Sequence, residues 1–180
     1  MKRIIVKIIA LLLSLLCVAA TWVYYGVWIP ARTISDLSTW NPDYGFQGEM
    51  PREKIRNACH KLLFNFSWDG GHHDAFLALQ KVGNKDSIPY LIRSLKGLER
   101  KYPNAITSGF VICTYGHCLE ALDALTGMEE LGDDHKAWKK WWIETGRYLP
   151  FDEEKGQLAT GRNSRRNRFI IDFQRQENNE

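Results

Sequence analysis

The chain has 180 residues, 44% hydrophobic and 25% charged, with 24 Lys and Arg against 21 Asp and Glu. That length bounds it to one domain with appendages. The formal charge of +3 is not a basic field: Lys2, Arg3 and Lys7 lie before or at the edge of an apolar segment, and the remaining basic residues only balance the acidic ones, so no nucleic-acid partner is implied.

Ile8 to Trp28 carries no charge, and as a helix this run is long enough to cross a hydrocarbon core of about 30 Å. A cleavable signal peptide, with Val18 and Ala20 in the small-residue positions, competes with an uncleaved anchor. The apolar run continues past that cleavage point, and Trp22, Tyr24, Tyr25 and Trp28 form an interfacial aromatic belt, so the anchor is preferred. With Lys2, Arg3 and Lys7 held inside, the bulk of the chain is expected outside the cytoplasm; cleavage would make it secreted or periplasmic. Residues 1–30 are therefore read as anchor, and 31–50, with breakers at Asn41-Pro42 and Gly45, as linker.

Pro51 opens a helix whose apolar positions Ile55, Ala58, Cys59, Leu62, Leu63 and Phe66 follow amphipathic spacing. The run Trp68 to His73 (WDGGHH) reads as a break. A second helix starts at Asp74, with Ala75, Leu79 and Val82 on one face, and stops at Gly83. Ser87 caps a third, striped by Ile88, Leu91, Ile92 and Leu95 with Pro89 in its first turn. Leu98 to Gly109 reads as a loop. Phe110 to Leu125 is helical, with Val111, Tyr115, Cys118, Leu122 and Leu125 inward and Thr126-Gly127 as its stop. A last helix runs from about Asp134 through Trp138, Trp141 and Trp142 to Thr145. No strand run bounded by hairpin turns is present, so the class is all-α and the domain spans 51–150. Residues 151–180 read as a flexible polar and basic tail, with a basic knot from Arg162 to Arg168 and a short apolar segment at Phe169, Ile170, Ile171 and Phe173.

The helical part repeats itself. ALQKVG, a polar link and SIPYLIRSL are echoed by ALDALTG, a longer link and HKAWKKWW, an antiparallel helix pair recurring at a period found in helical solenoids. ALQKVGNKDSIPYLIRSL resembles HEAT-like repeats of the short phycobilisome-lyase type, and HCLEALDALTG with GDDHKAWKKWW resembles the closing repeat of bacterial HEAT-repeat proteins. The resemblance covers about Asp74 to Leu149. It implies a short α-solenoid that binds partners and carries no catalytic residue across, because its motifs are packing motifs. An accessory role to a cofactor lyase would rest on the family analogy alone.

The chemical candidates are few. Cys17 lies in the apolar segment, leaving Cys59, Cys113 and Cys118; one disulfide, Cys59 with Cys113 or Cys118, is conceivable. Cys113 and Cys118 point about 500° apart on a helix and do not suit each other. Cys113 and His117, at i and i+4, are the weak metal candidates, with Cys59, His60, His72, His73 or His135 as the only residues able to complete a set of three or four. No CxxC or HExxH spacing occurs, so no metal, cofactor or catalytic residue is assigned and the chain is read as non-catalytic. Trp138, Trp141 and Trp142 cover the open end of the stack, and any that stays part-exposed is the natural anchor for an unknown protein partner. The expected function is thus a membrane-anchored interaction or scaffold module, with a metal-binding or enzymatic helical domain on the Cys113/His117 face as the alternative.

Overall fold

The computed structural model describes residues 2–35, 52–65, 69–102 and 113–159. Among them the chain is helical almost throughout, and one N-terminal helix is long and apolar enough to cross a membrane or serve as a signal anchor. It is built from α1 (Lys2–Val23), a wide π-helical turn (Tyr24–Trp28) and α2 (Ile29–Ser35), which follow one another without interruption. Its large apolar side chains from Ile4 to Tyr25 are exposed, while Val27 already packs against the helical core.

The far end of this helix behaves differently. Helix continues to Ser35, five residues into the stretch that reads as linker, because Ile34 and Pro30 bury against α3 (Arg52–Asn65). Ile34 is only 4% exposed. The π turn brings Gly26 to the same contact: its carbonyl accepts a hydrogen bond from Asn65 Nδ2 at 3.2 Å, and a Cβ there would lie 3.1 Å from that nitrogen. Beside it Tyr24 stacks on Trp28, with the Arg32 guanidinium 5.3 Å from the Trp28 ring.

Four further helices follow: α4 (Asp69–Val82), α5 (Ser87–Lys101), α6 (Cys113–Thr126) and α7 (His135–Glu144). The core is made of the stripes legible in the sequence: Ile55, Cys59 and Leu62 from α3, Phe76 and Leu79 from α4, Ile88, Leu91 and Leu95 from α5, Cys118, Leu122 and Leu125 from α6. Each large apolar side chain buried this way contributes about 1.5–3 kcal/mol. Phe66, Phe110 and Val111 lie outside the described residues. Ser87 is not the cap of α5: it sits in the first turn, and its hydroxyl accepts from the Asn84 backbone N–H at 3.1 Å. All four cysteines are free, with Cys59 and Cys118 buried.

Contacts between side chains give the direction of each helix. Arg56 near the start of α3 donates to the carbonyl of Val82 at the end of α4, so these two run antiparallel. Gln80 meets Glu120 at 3.3 Å, and Gly83 abuts Leu125, so α4 and α6 run parallel. His60 meets Ser87 at 2.8 Å and Phe64 lies under Arg93, so α3 and α5 run parallel. Direction therefore alternates from α3 to α6.

The alternation stops at α7. His135, its first residue, is held by Glu99 near the end of α5, while Leu149, beyond its last turn, accepts a bond from Lys85 before the start of α5. Helix α7 thus runs antiparallel to α5 and parallel to α6, and the second repeat unit is not the antiparallel pair expected from its echo of the first. The link explains this. Gly127 and Gly132 take left-handed φ of 68° and 56°, and a 3-10 turn (Glu129–Leu131) lies between them. That path carries the chain back along α6 until Tyr115 Oη donates to the carbonyl of Asp133 at 3.1 Å. Asp134 then caps α7, accepting from the Lys136 N–H at 2.8 Å.

After a 3-10 turn (Gly146–Tyr148), β1 (Phe151–Asp152) and β2 (Gln157–Leu158) form a small antiparallel hairpin that the sequence reading assigned to tail. Leu158 is 2% exposed, and Gln157 Nε2 donates to the carbonyl of Ala124 at 3.4 Å, so this segment covers α6. The basic knot and the apolar segment at Phe169 to Phe173 lie outside the described residues.

Candidate metal centre and docking groove

Two places on the surface bring chemically useful side chains together. The first joins the N-terminal ends of α4 and α6. Helix α4 begins at Asp69, not Asp74: the two glycines after Asp69 are accommodated in its first turn, and the WDGGHH stretch is helical from Asp69 onward. That earlier start puts His73 in helical register opposite α6. Cys113 and His117, one turn apart on α6, face it.

The geometry is specific. Cys113 Sγ lies 3.2 Å from His73 Nε2 and 3.1 Å from His117 Nε2. The two imidazoles meet edge to face, centroids 4.7 Å apart. Each ring's other nitrogen faces a carboxylate: His73 Nδ1 lies 3.2 Å from Asp74 Oδ1, and His117 Nδ1 lies 2.7 Å from Glu120 Oε2. Gln80 Nε2 donates to the same Glu120 oxygen. Sequence spacing already pairs Cys113 with His117, and Glu120, three residues beyond His117, was visible on the same face. The sequence offers His73 only as one of five residues able to complete the set; the helical start at Asp69 is what selects it and brings Asp74 behind its ring.

The other residues named for that set are elsewhere or engaged. Cys59 and Cys118 are buried, and burial pushes both thiols up, away from the thiolate that a metal or a nucleophile requires. Cys118 also contacts the Leu91 carbonyl at 3.5 Å. His60 stacks on Tyr90 with centroids 4.4 Å apart; burial, reinforced by the Arg56 charge and opposed by Asp86, lowers its pKa to about 4. The side chain of His72 lies outside the described residues.

His135 belongs to a second acidic cluster with Glu99 and Asp134. There the carboxylates are already used. One Glu99 oxygen accepts from the His135 backbone N–H and the other meets the ring at Nδ1, while Asp134 caps Lys136. This arrangement closes the N-terminus of α7 onto α5, which the helix dipole favours, and accounts for both carboxylates as structural groups.

The second place is a groove between α5 and α7 of about 310 Å³. Pro89, Ile92, Trp142 and Ile143 supply apolar walls, and Arg93, Lys96 and Lys139 supply positive charge along it. Phe64, 58% exposed beneath Arg93, extends the apolar surface toward α3. The three tryptophans divide here. Trp138 is 1% exposed, its indole N–H donating to the Gly132 carbonyl at 2.8 Å. Trp141 packs over Gly146, where a Cβ would come within 2.7 Å of its ring. Trp142 alone lines the groove. In sequence Arg93 and Lys96 have the pattern of an ordinary solvated helix face, and only the packing of α7 beside α5 makes them groove residues.

Compared with known proteins, the chain matches no family model, no curated protein and no solved structure.

Proposed function

We propose that this is a membrane-anchored, non-catalytic docking module, with the groove between α5 and α7 receiving an acidic segment of a partner protein that inserts an apolar side chain beside Trp142. The observation that carries the reading is the groove's composition. An apolar floor with Arg93, Lys96 and Lys139 around it suits a ligand with one apolar anchor and flanking carboxylates, since the anchor supplies most of the affinity and charge complementarity supplies register and on-rate. The buried stem at Ile34 supports a rigid module in place of a loosely tethered one. The alternating directions of α3 to α6 support a HEAT-like stack of two helix pairs, closed by α7 and the hairpin. The cationic residues Lys2, Arg3 and Lys7 in the first two turns of α1 support an orientation with the domain outside the cytoplasm.

The test is selection of short displayed peptides on the full chain in detergent micelles, followed by affinity measurement on Lys139→Glu and Arg93→Glu variants. The expected result is enrichment of peptides with Asp or Glu flanking an aromatic or aliphatic residue, and binding at least tenfold weaker in either variant. Selected peptides without acidic enrichment, or peptides indifferent to both charge reversals, would overturn the reading. Binding of anionic vesicles that depends on Lys139, with no peptide selected, would assign the groove to lipid instead.

A further inference from the structure

We infer that His73, Cys113 and His117 form a binding site for a zinc-class divalent ion, with Asp74 and Glu120 holding the two imidazoles in the ligating tautomer. The argument starts from protons. Asp74 and Glu120 face the Nδ1 atoms, and a carboxylate can only accept there, so each ring keeps its N–H on Nδ1 and presents a lone pair at Nε2. Both Nε2 lone pairs point at one sulfur, 3.1 and 3.2 Å away. A thiol has a single proton, which satisfies one of the two nitrogens and leaves the other facing sulfur electron density. A cation placed among the three atoms satisfies all of them at once.

The dimensions suit such an ion. Zn–S of about 2.3 Å and Zn–N of about 2.0–2.1 Å at a tetrahedral angle put sulfur and nitrogen about 3.6 Å apart. The Sγ–Nε2 pairs, at 3.1 and 3.2 Å, would part by about 0.4–0.5 Å to take an ion, and the three ligand atoms already lie within 4.8 Å of one another. Side-chain rotation suffices, because Cys113 is exposed and both rings lie near the surface. Two imidazoles and a thiolate select a borderline ion over magnesium or calcium, which take oxygen. Three protein ligands leave a fourth position for water or an incoming ligand. The carboxylate behind each imidazole is the arrangement that orients histidine ligands and raises their basicity. This site lies on α4 and α6, apart from the α5–α7 groove, and stands whether or not that groove docks a partner.

Bound metal would tie the first turn of α4 to the first turn of α6. Cobalt(II) is the probe, because a thiolate-bound tetrahedral cobalt absorbs in the visible and adds a sulfur-to-metal charge-transfer band. The reduced, metal-free full chain in detergent micelles is titrated with cobalt and then displaced with zinc. The expected result is one equivalent bound with both spectral features. Both are lost in Cys113→Ser and in His117→Gln, and Glu120→Gln weakens affinity by about tenfold with the spectrum retained. Circular dichroism shows whether each variant keeps its helix content, and His73→Asn gives a second ligand deletion on the other helix. Absence of the tetrahedral spectrum in a folded chain, or cobalt binding unchanged by Cys113→Ser and by His73→Asn, would overturn the assignment.

Discussion

His60 makes stability depend on pH in a way that can be worked out from its surroundings. Its ring is pressed against Tyr90, bonded to Ser87 across the α3–α5 contact, and close to the Arg56 charge. Burial of the ring, reinforced by the Arg56 charge and opposed by Asp86, holds its folded pKa at about 4, against 6.5 in an unfolded chain. A depressed histidine pKa means that the unfolded chain binds the proton first. The contribution is therefore complete above the unfolded pKa and is lost as pH falls from about 6.5 toward 4. At about 1.4 kcal/mol per unit, lowering the pH from about 7.5 to 4.5 would cost about 2.5 kcal/mol with no screening. The ring is only partly enclosed, and water and salt reduce this to about 1–1.5 kcal/mol. Urea unfolding of the full chain at several pH values reads it directly. With a slope of about 1–3 kcal/mol per M, the midpoint of the wild type should fall by about 0.3–1.5 M more over that range than the midpoint of His60→Gln. Other histidines and carboxylates titrate in both proteins and cancel in the difference. Identical pH slopes in the two proteins would refute the reasoning.

Gly83→Ala should destabilise by about 1–3 kcal/mol, since its Cβ would meet the Leu79 carbonyl oxygen at 2.4 Å and a Leu125 methyl at 3.0 Å, and thermal unfolding would show a lower Tm. Ile34→Asp puts a charge into the stem contact; amide exchange should accelerate across Ile29–Ser35 and α3 while α4 to α6 keep their protection, and uniform protection like the wild type would contradict the docked stem. In the metal-free folded chain, with Cys17 shielded by the micelle, iodoacetamide should modify Cys113 and spare Cys59 and Cys118 until urea unfolds the domain; early alkylation of either buried thiol would contradict the packing.

The apolar stripes were legible because burial on one side of a helix writes a period into the residues, and Ile55 to Leu63 or Ile88 to Leu95 need nothing beyond that period. The ends of elements were less so. Gly70-Gly71 has every local mark of a break, yet α4 begins before it, and this shift decides whether His73 reaches Cys113. The reversal at α7 was hidden for another reason. A polar link with two glycines is compatible with a hairpin or with a return along α6, and only the long-range bonds of Tyr115, Glu99 and Lys85 select the second path. Short strands at Phe151 and Gln157 carry almost no periodic signal. The docking groove combines residues from two helices, neither of which announces it alone.

The unbroken helix from Lys2 to Ser35 acts as a shaft keyed to the domain by Ile34, Gly26 and Asn65. On such a shaft the bearing of every surface feature is a matter of phase. Adding or removing one residue between the apolar stretch and the key turns the domain by about 100° relative to that stretch. The wide turn at Tyr24–Trp28 already sets this phase away from that of a uniform α-helix. The compass direction in which Trp142 and its basic neighbours look is therefore encoded in residue count near the aromatic belt, far in sequence from the groove itself.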